Sequence, residues 1–116
     1  FMDDLYLVAK ALEQHRDVRT VKVKDYLQEP KRSGYRSLHL IVEVPIYFQG
    51  EELWRRAEIQ LRTAAMDFWA GLDHQLIYKR GLKEAKLIGQ ELYEYAQIVE
   101  ELDQKMVELR DRIAAI

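Results

Sequence analysis

The sequence predicts an α/β fold: a β-sheet with helices packed on it, and one long helix at the C-terminal end. Three patterns predict it. A helical apolar period opens the chain, two-residue alternation runs through much of residues 18–62, and a seven-residue period continues from Ile88 to Ile116. At 116 residues the chain has the size of one domain able to bury a core without cross-links.

The first element is a helix. Asp3 and Asp4 precede Leu5, Val8, Ala9 and Leu12, an apolar face with acids where the N-terminal dipole favours them, and the helix is expected to reach about His15. The chain opens abruptly on this element, as a fragment would. Val18 to Lys24 then reads as a strand, with Val21 and Val23 on one face and Lys22 and Lys24 on the other. Pro30 to His39 follows as a basic loop bent by Pro30 and Gly34, running into a strand from Leu38 to Val44 that Pro45 is expected to end. In that strand Leu38, Leu40, Val42 and Val44 share an apolar face, and His39 points the other way.

Gln49-Gly50-Glu51 marks a turn, and Leu53 to Arg62 alternates again. Pairing the two strands as an antiparallel hairpin would gather His39, Glu58, Gln60 and Arg62 on one sheet face near Tyr35. Thr63 then suits the N-cap of a helix whose broad apolar side is Met66, Trp69, Ala70, Leu72, Leu76 and Ile77, with Lys79, Arg80 and Gly81 at its end. The last helix carries Ile88, Leu92, Tyr95, Val99, Leu102, Met106, Leu109, Ile113 and Ile116 at alternating spacings of four and three. At about 50 Å it outlasts the rest of the fold, so part of this seam is expected to pack on another subunit.

Composition narrows the function. The chain has no cysteine, which excludes a disulfide framework, thiol nucleophiles and cysteine-ligated zinc, and agrees with a reducing compartment. No apolar run is long enough for a membrane helix, and the first residues are acidic where a signal peptide is basic, so a soluble protein is expected. Residues 1–62 carry 11 Lys/Arg against 10 Asp/Glu, and residues 63–116 carry 7 against 10. Neither half has the basic excess of a duplex nucleic-acid binder, so an anion site must be local.

The loop offers one. Lys31, Arg32 and Arg36 surround Tyr35, supplying cations for phosphates and a flat face for a ring. The same composition also describes a solvated turn. Glu58 stands in a strand between Ala57 and Ile59 and reads either as a rigidly mounted metal ligand or as a surface partner of Arg56 or Arg62. His39 is equally open, a catalyst or a hydrogen-bonded sheet residue. His15, His39 and His74 lack zinc-ligand spacing, and no phosphate-loop or nucleophile-elbow motif occurs.

Two ordered blocks carry a resemblance: Asp25-Tyr26 through Pro30-Lys31 to Gly34-Tyr35-Arg36-Ser37-Leu38-His39, and Glu58-Ile59-Gln60-Leu61-Arg62-Thr63 through Ala65-Met66-Asp67-Phe68-Trp69-Ala70-Gly71-Leu72-Asp73-His74. The chain resembles the synthetase domain of the RelA/SpoT superfamily, most of all the single-domain small alarmone synthetases. The resemblance implies a mixed sheet of nucleotidyltransferase-like type. It divides the chain into 1–80, the C-terminal part of the synthetase domain with the acceptor-nucleotide site, and 81–116, an amphipathic oligomerisation helix. It implies transfer of the β,γ-pyrophosphate of ATP to the 3′-hydroxyl of GDP or GTP with Mg2+, in a cytoplasmic homotetramer needing neither membrane nor nucleic acid.

By the same resemblance Tyr35 stacks on guanine, Lys31 contacts acceptor phosphates, and His39 and Gln60 help hold that nucleotide. The backbone at Ala70 meets the guanine edge, Glu58 is the magnesium-linked and catalytic carboxylate, and Arg36 and Arg62 give supporting charge. Ser33 stands where the family usually has Asn and offers a shorter polar group to the acceptor. Asp67 stands where allosterically activated tetramers carry Asn, and its charge opposes a phosphorylated effector. The family's ATP-gripping cluster and D-x-x-G-x-R segment lie upstream of the opening helix, so residues 1–116 alone are expected to be inactive. The rival expectation is a non-catalytic guanine-nucleotide-binding and oligomerisation module.

Overall fold

A computed structural model of the chain describes residues 1–77 and 82–116. In order they form α1 (Asp4–Glu13), β1 (Arg19–Asp25), β2 (Leu38–Phe48), β3 (Glu51–Leu61), α2 (Ala64–Ile77) and α3 (Leu82–Ala114). The helix end expected at Lys79, Arg80 and Gly81 lies outside the described residues. The described strands make one sheet of order β1-β2-β3, and both pairings are antiparallel. Helices pack on one face of that sheet, which accounts for a least extent of only 20 Å.

The apolar face of β2 forms the core, as its alternation predicts. Leu38, Leu40 and Val42 are wholly buried against Leu5 and Ala9 of α1 and Met66 of α2. Val8, expected on the same side of α1, is exposed. A second cluster joins Trp69 of α2 to Leu92 and Ala96 of α3, where the Trp69 indole N–H donates to the Leu92 carbonyl at 2.6 Å.

Two strands depart from expectation. Pro45 does not end β2, which continues to Phe48. β1 pairs with β2 only as far as Glu43, so Pro45 sits beyond its reach and faces β3 alone, opposite Trp54. A residue without an N–H is tolerated on such an unpaired edge. In β1 the register shifts between Thr20 and Lys22, a bulge that carries Val21 out of simple alternation and leaves Val21 and Val23 exposed. The β2–β3 hairpin closes through Gln49 and Gly50 at φ of 50° and 78°, the paired positive values that match strand twist in a two-residue turn.

α3 differs most from the sequence reading. Its packed stripe is Leu92, Ala96, Val99 and Asp103, so only some of the predicted heptad seam turns inward. Tyr95, Leu102, Met106, Leu109, Ile113 and Ile116 are exposed and form an apolar strip along the outside of the helix. Arg110 anchors the far end, donating to both carboxylate oxygens of Asp3 at 2.7 and 2.6 Å.

Candidate functional site

The hairpin register builds the site. His39 pairs with Gln60 and Ile41 with Glu58, while on the other side Lys24 pairs with His39 and Lys22 with Ile41. The sheet face turned away from the helices is therefore polar, with Lys22, Lys24, His39, Glu58 and Gln60 in adjacent rows. Arg62, two residues past Gln60, places its guanidinium 5.9 Å from the Tyr35 ring centre. The sequence-predicted cluster of His39, Glu58, Gln60 and Arg62 near Tyr35 is assembled as expected.

The loop before β2 is held tightly. Asp25 Oδ1 accepts from the backbone N–H groups of Leu27 and Gln28 at 3.0 and 3.1 Å, making a turn at the exit of β1. Tyr26 N–H donates to the Ser37 carbonyl, and Lys31 N–H donates to the Tyr35 carbonyl. Ser33 Oγ accepts from the Tyr35 N–H at 3.3 Å, so this hydroxyl shapes the loop from within. Gly34 has φ of 97°, and Ala96 of α3 lies so near that an added Cβ would meet it at 2.7 Å. Only glycine satisfies both conditions.

Tyr35 emerges from this scaffold as the aromatic wall of a cleft. Its hydroxyl donates to Gln60 Oε1 at 3.2 Å, and Tyr26 meets its ring edge-on at 6.2 Å. The Lys31 ammonium lies 4.9 Å from the Tyr26 ring centre and 5.2 Å from that of Tyr35. Tyr35 and Arg62 line one side of a cleft of about 590 Å³ whose other side is Asp67, Ala70, Gly71, Asp73 and His74 of α2. Arg62 pairs with Asp67 at 3.3 Å across its mouth. Ser33 and Arg32 line an adjoining groove with Lys86 and Tyr93, and Asp73 borders both. Burial raises the Asp73 carboxyl above its ordinary value, opposed by the charge of His74.

Glu58 and His39 lie on the open sheet face, with Glu58 Oε2 3.4 Å from His39 Nε2. The Glu58 side chain is 64% exposed and that of His39 14%. His39 Nε2 is buried, and it faces that carboxylate oxygen at an angle short of a hydrogen bond. Among the described residues no three His, Cys, Asp or Glu side chains gather to cage a metal. Glu58 offers a hard oxygen ligand on a strand, with Glu43 diagonal to it on the same face, which fits a magnesium ion held otherwise by phosphates and water.

Arg36 does not belong to this surface. Alternation sends it to the opposite side from Tyr35, where its side chain is 4% exposed, and its guanidinium donates to the Ala96 carbonyl at 3.5 Å and faces Asp103 at 4.0 Å. The supporting charge expected at the ligand is instead a buried tie to α3. Burial lowers the Arg36 pKa, opposed by the carboxylates of Glu100 and Asp103. Sequence reasoning also missed Tyr26 as a ring partner, although its place at the end of β1 signalled it. Asp103 was signalled too, as an acid interrupting the stripe Leu92, Ala96, Val99.

No helix of the described residues is long and apolar enough to cross a membrane. A family model described as a region found in RelA / SpoT proteins matches residues 1–83. The chain is 48% identical over 113 residues to GTP pyrophosphokinase YwaC of Bacillus subtilis, covering 97% of this chain and 54% of that protein. It is 36% identical over 113 residues to GTP pyrophosphokinase YjbM of the same organism, with the same coverage. The chain thus spans about half the length of these curated relatives. Among solved structures, small alarmone synthetase 2 of Bacillus subtilis superposes with a TM-score of 0.89 at 48% identity, over 97% of this chain and 61% of that one. Small alarmone synthetase 1 of Bacillus subtilis bound to its product pppGpp superposes with a TM-score of 0.90 at 36% identity, over 98% and 58%.

Proposed function

Because the chain belongs to the family of RelA / SpoT proteins, we propose that it is the acceptor half of an alarmone synthetase, a GTP pyrophosphokinase. The 3′-hydroxyl oxygen of GDP or GTP attacks the β-phosphorus of ATP, the bond from that phosphorus to the α-phosphate oxygen breaks, and AMP leaves. The products are ppGpp or pppGpp. The observation that carries this reading is the cleft of Tyr35, Arg62 and Ala70, opening beside a sheet face that presents Glu58 and His39.

Each residue has a task that its placement supports. Tyr35 gives the guanine a flat face, its ring held by Tyr26 and by the hydrogen bond to Gln60. Ala70 and its neighbours on α2 close over the base edge. Lys31 and Arg62, already gathered at the Tyr35 ring, are in position to meet acceptor phosphates. Ser33 acts through the loop, keeping Tyr35 in place. Glu58 takes the proton of the 3′-hydroxyl as the new bond forms, and His39, whose Nε2 faces the Glu58 carboxylate at 3.4 Å, steadies that carboxylate and helps hold the nucleotide. Magnesium, when bound at Glu58, neutralises charge on the transferred phosphates.

ATP is gripped by residues outside these 116, so the isolated chain binds acceptor and does not catalyse. The exposed apolar strip of α3 joins copies of the protein into the homotetramer, which works in the cytoplasm. A purely binding module is the weaker reading, because Glu58 is exposed at the site and unnecessary for holding a base. The test supplies ATP, GDP and magnesium to the full-length protein and resolves AMP and ppGpp by anion exchange. Equal amounts of the two are expected. GDP binding without product would replace the synthetase with a binding module.

A further inference from the structure

The cleft has two walls, and both are fastened to one carboxylate outside it. Arg36, Ser37, Thr63 and Asp103 are the buried polar and charged side chains of the described residues. Three of them form a chain. The Arg36 guanidinium faces Asp103 Oδ2 at 4.0 Å, and the Thr63 hydroxyl donates to that same oxygen at 3.0 Å. Thr63 Oγ1 in turn accepts from the Met66 N–H at 3.1 Å and so caps α2, the helix that carries Asp67, Ala70 and Gly71 into the cleft. Arg36 follows Tyr35 directly, so its side chain points inward while the tyrosine points into the cleft.

We propose that Asp103 of α3 is a positioning residue for the acceptor nucleotide, holding the Tyr35 wall through Arg36 and the Ala70 wall through Thr63. The inference rests on the cleft being the acceptor site. Loop and helix are also in van der Waals contact here, with Gly34 against Ala96, so a small rotation of α3 moves the tyrosine wall. The exposed apolar strip of α3 runs beside this buried stripe. Plain packing would not require a charged pair in this place, since apolar residues of equal volume fill a core as well or better.

The test measures KM for GDP and for ATP, and binding of a fluorescent GDP derivative, in the full-length protein well below its unfolding temperature. Asp103→Asn keeps an oxygen for Thr63 and removes the charge facing Arg36. GDP KM is expected to rise about 10-fold while ATP KM stays within about two-fold. In a Tyr35→Ala background the same substitution should weaken GDP binding by less than about three-fold, because the wall it positions is already gone. An equal penalty in both backgrounds, or ATP and GDP KM rising together, would overturn the proposal and leave Asp103 a stability residue. If Asp103→Asn does not fold, Arg36→Met, which leaves the Thr63 cap intact, decides: a raised GDP KM at constant ATP KM supports the role, and unchanged GDP KM overturns it. A parent protein that binds no GDP would remove the acceptor site itself, and this role with it, before any variant is compared.

Discussion

Nε2 of His39 lies 3.4 Å from Oε2 of Glu58, although the two are not ladder partners: His39 pairs with Gln60, and Glu58 pairs with Ile41. The contact runs diagonally across the β2–β3 ladder, on the sheet face turned away from the helices, and the Glu58 side chain stays 64% exposed. A proton acceptor mounted on a strand in this way loses little freedom when a hydroxyl approaches.

Glu58→Gln should therefore separate chemistry from binding. The amide keeps the shape and cannot take the proton, so pyrophosphate transfer in the full-length protein should fall about 100-fold or more. GDP affinity should stay within about three-fold, since the proposed reading places the base at Tyr35 and not at Glu58. AMP formation under saturating ATP and GDP measures the first, and calorimetry the second. Transfer near the parental rate would remove Glu58 from the reaction.

The proposed function gives the Tyr35 ring and hydroxyl different tasks. Tyr35→Ala should weaken GDP binding by about 1–3 kcal/mol through lost stacking. Tyr35→Phe should cost about 1 kcal/mol or less, because only the hydrogen bond to Gln60 disappears. Titration of both variants with GDP checks the order. Equal losses would place the hydroxyl, and not the ring, at the centre of recognition.

These sites were legible because β-alternation is unforgiving. Once Leu38, Leu40 and Val42 are assigned to the core, His39 must face the other way, and a hairpin with a two-residue turn fixes Gln60 opposite it. Arg36 shows where the same logic was not carried through: the loop was read as basic and exposed, while alternation around Tyr35 already turned one arginine inward. α3 was less legible. Two stripes run along it side by side, and the more hydrophobic, Tyr95, Leu102, Met106 and Leu109, is the one left outside. The inner stripe is chosen by smallness at Ala96, against which Gly34 packs, and by the partner that Asp103 finds in Arg36. Neither is visible in a hydrophobic period. Pro45 was misjudged because its cost depends on where β1 stops, a tertiary fact.

Gly34→Ala should destabilise the protein through backbone and packing together. A positive φ costs a non-glycine residue about 1–2 kcal/mol, and the added methyl also meets Ala96 at 2.7 Å. Urea unfolding should show the loss. Gly34→Ala combined with Ala96→Gly should recover only the packing part. Full recovery by the pair would mean that the backbone conformation is not strained.

The exposed strip of α3 predicts an assembly that charge can dissolve. Leu102→Glu with Met106→Glu places two carboxylates at the middle of the strip, outside the buried stripe of Leu92, Ala96 and Asp103. Light scattering of the full-length protein should show the parent as an oligomer and the variant at lower mass, with circular dichroism unchanged. An unchanged mass would assign the oligomer contact to another surface.

Tyr6 gives the fold an alkaline limit. Partial burial raises its phenol to about 12, aided by the hydrogen bond it donates to Asp25 Oδ2 at 2.8 Å and by the charge of that carboxylate. An unfolded phenol releases its proton near pH 10. Between about pH 10 and 12 the folded chain therefore binds more protons than the unfolded one, and stability falls as pH rises. Below that window the contribution is complete and constant. Tyr6→Phe should be less stable than the parent by a fixed amount up to about pH 9.5, and the difference should shrink steadily by about pH 11.5. Urea unfolding of both proteins across this range reads it directly. A difference that stays constant to the alkaline end would mean that the phenol is not held protonated by the fold, and that Asp25 is fixed by its turn to Leu27 and Gln28 alone.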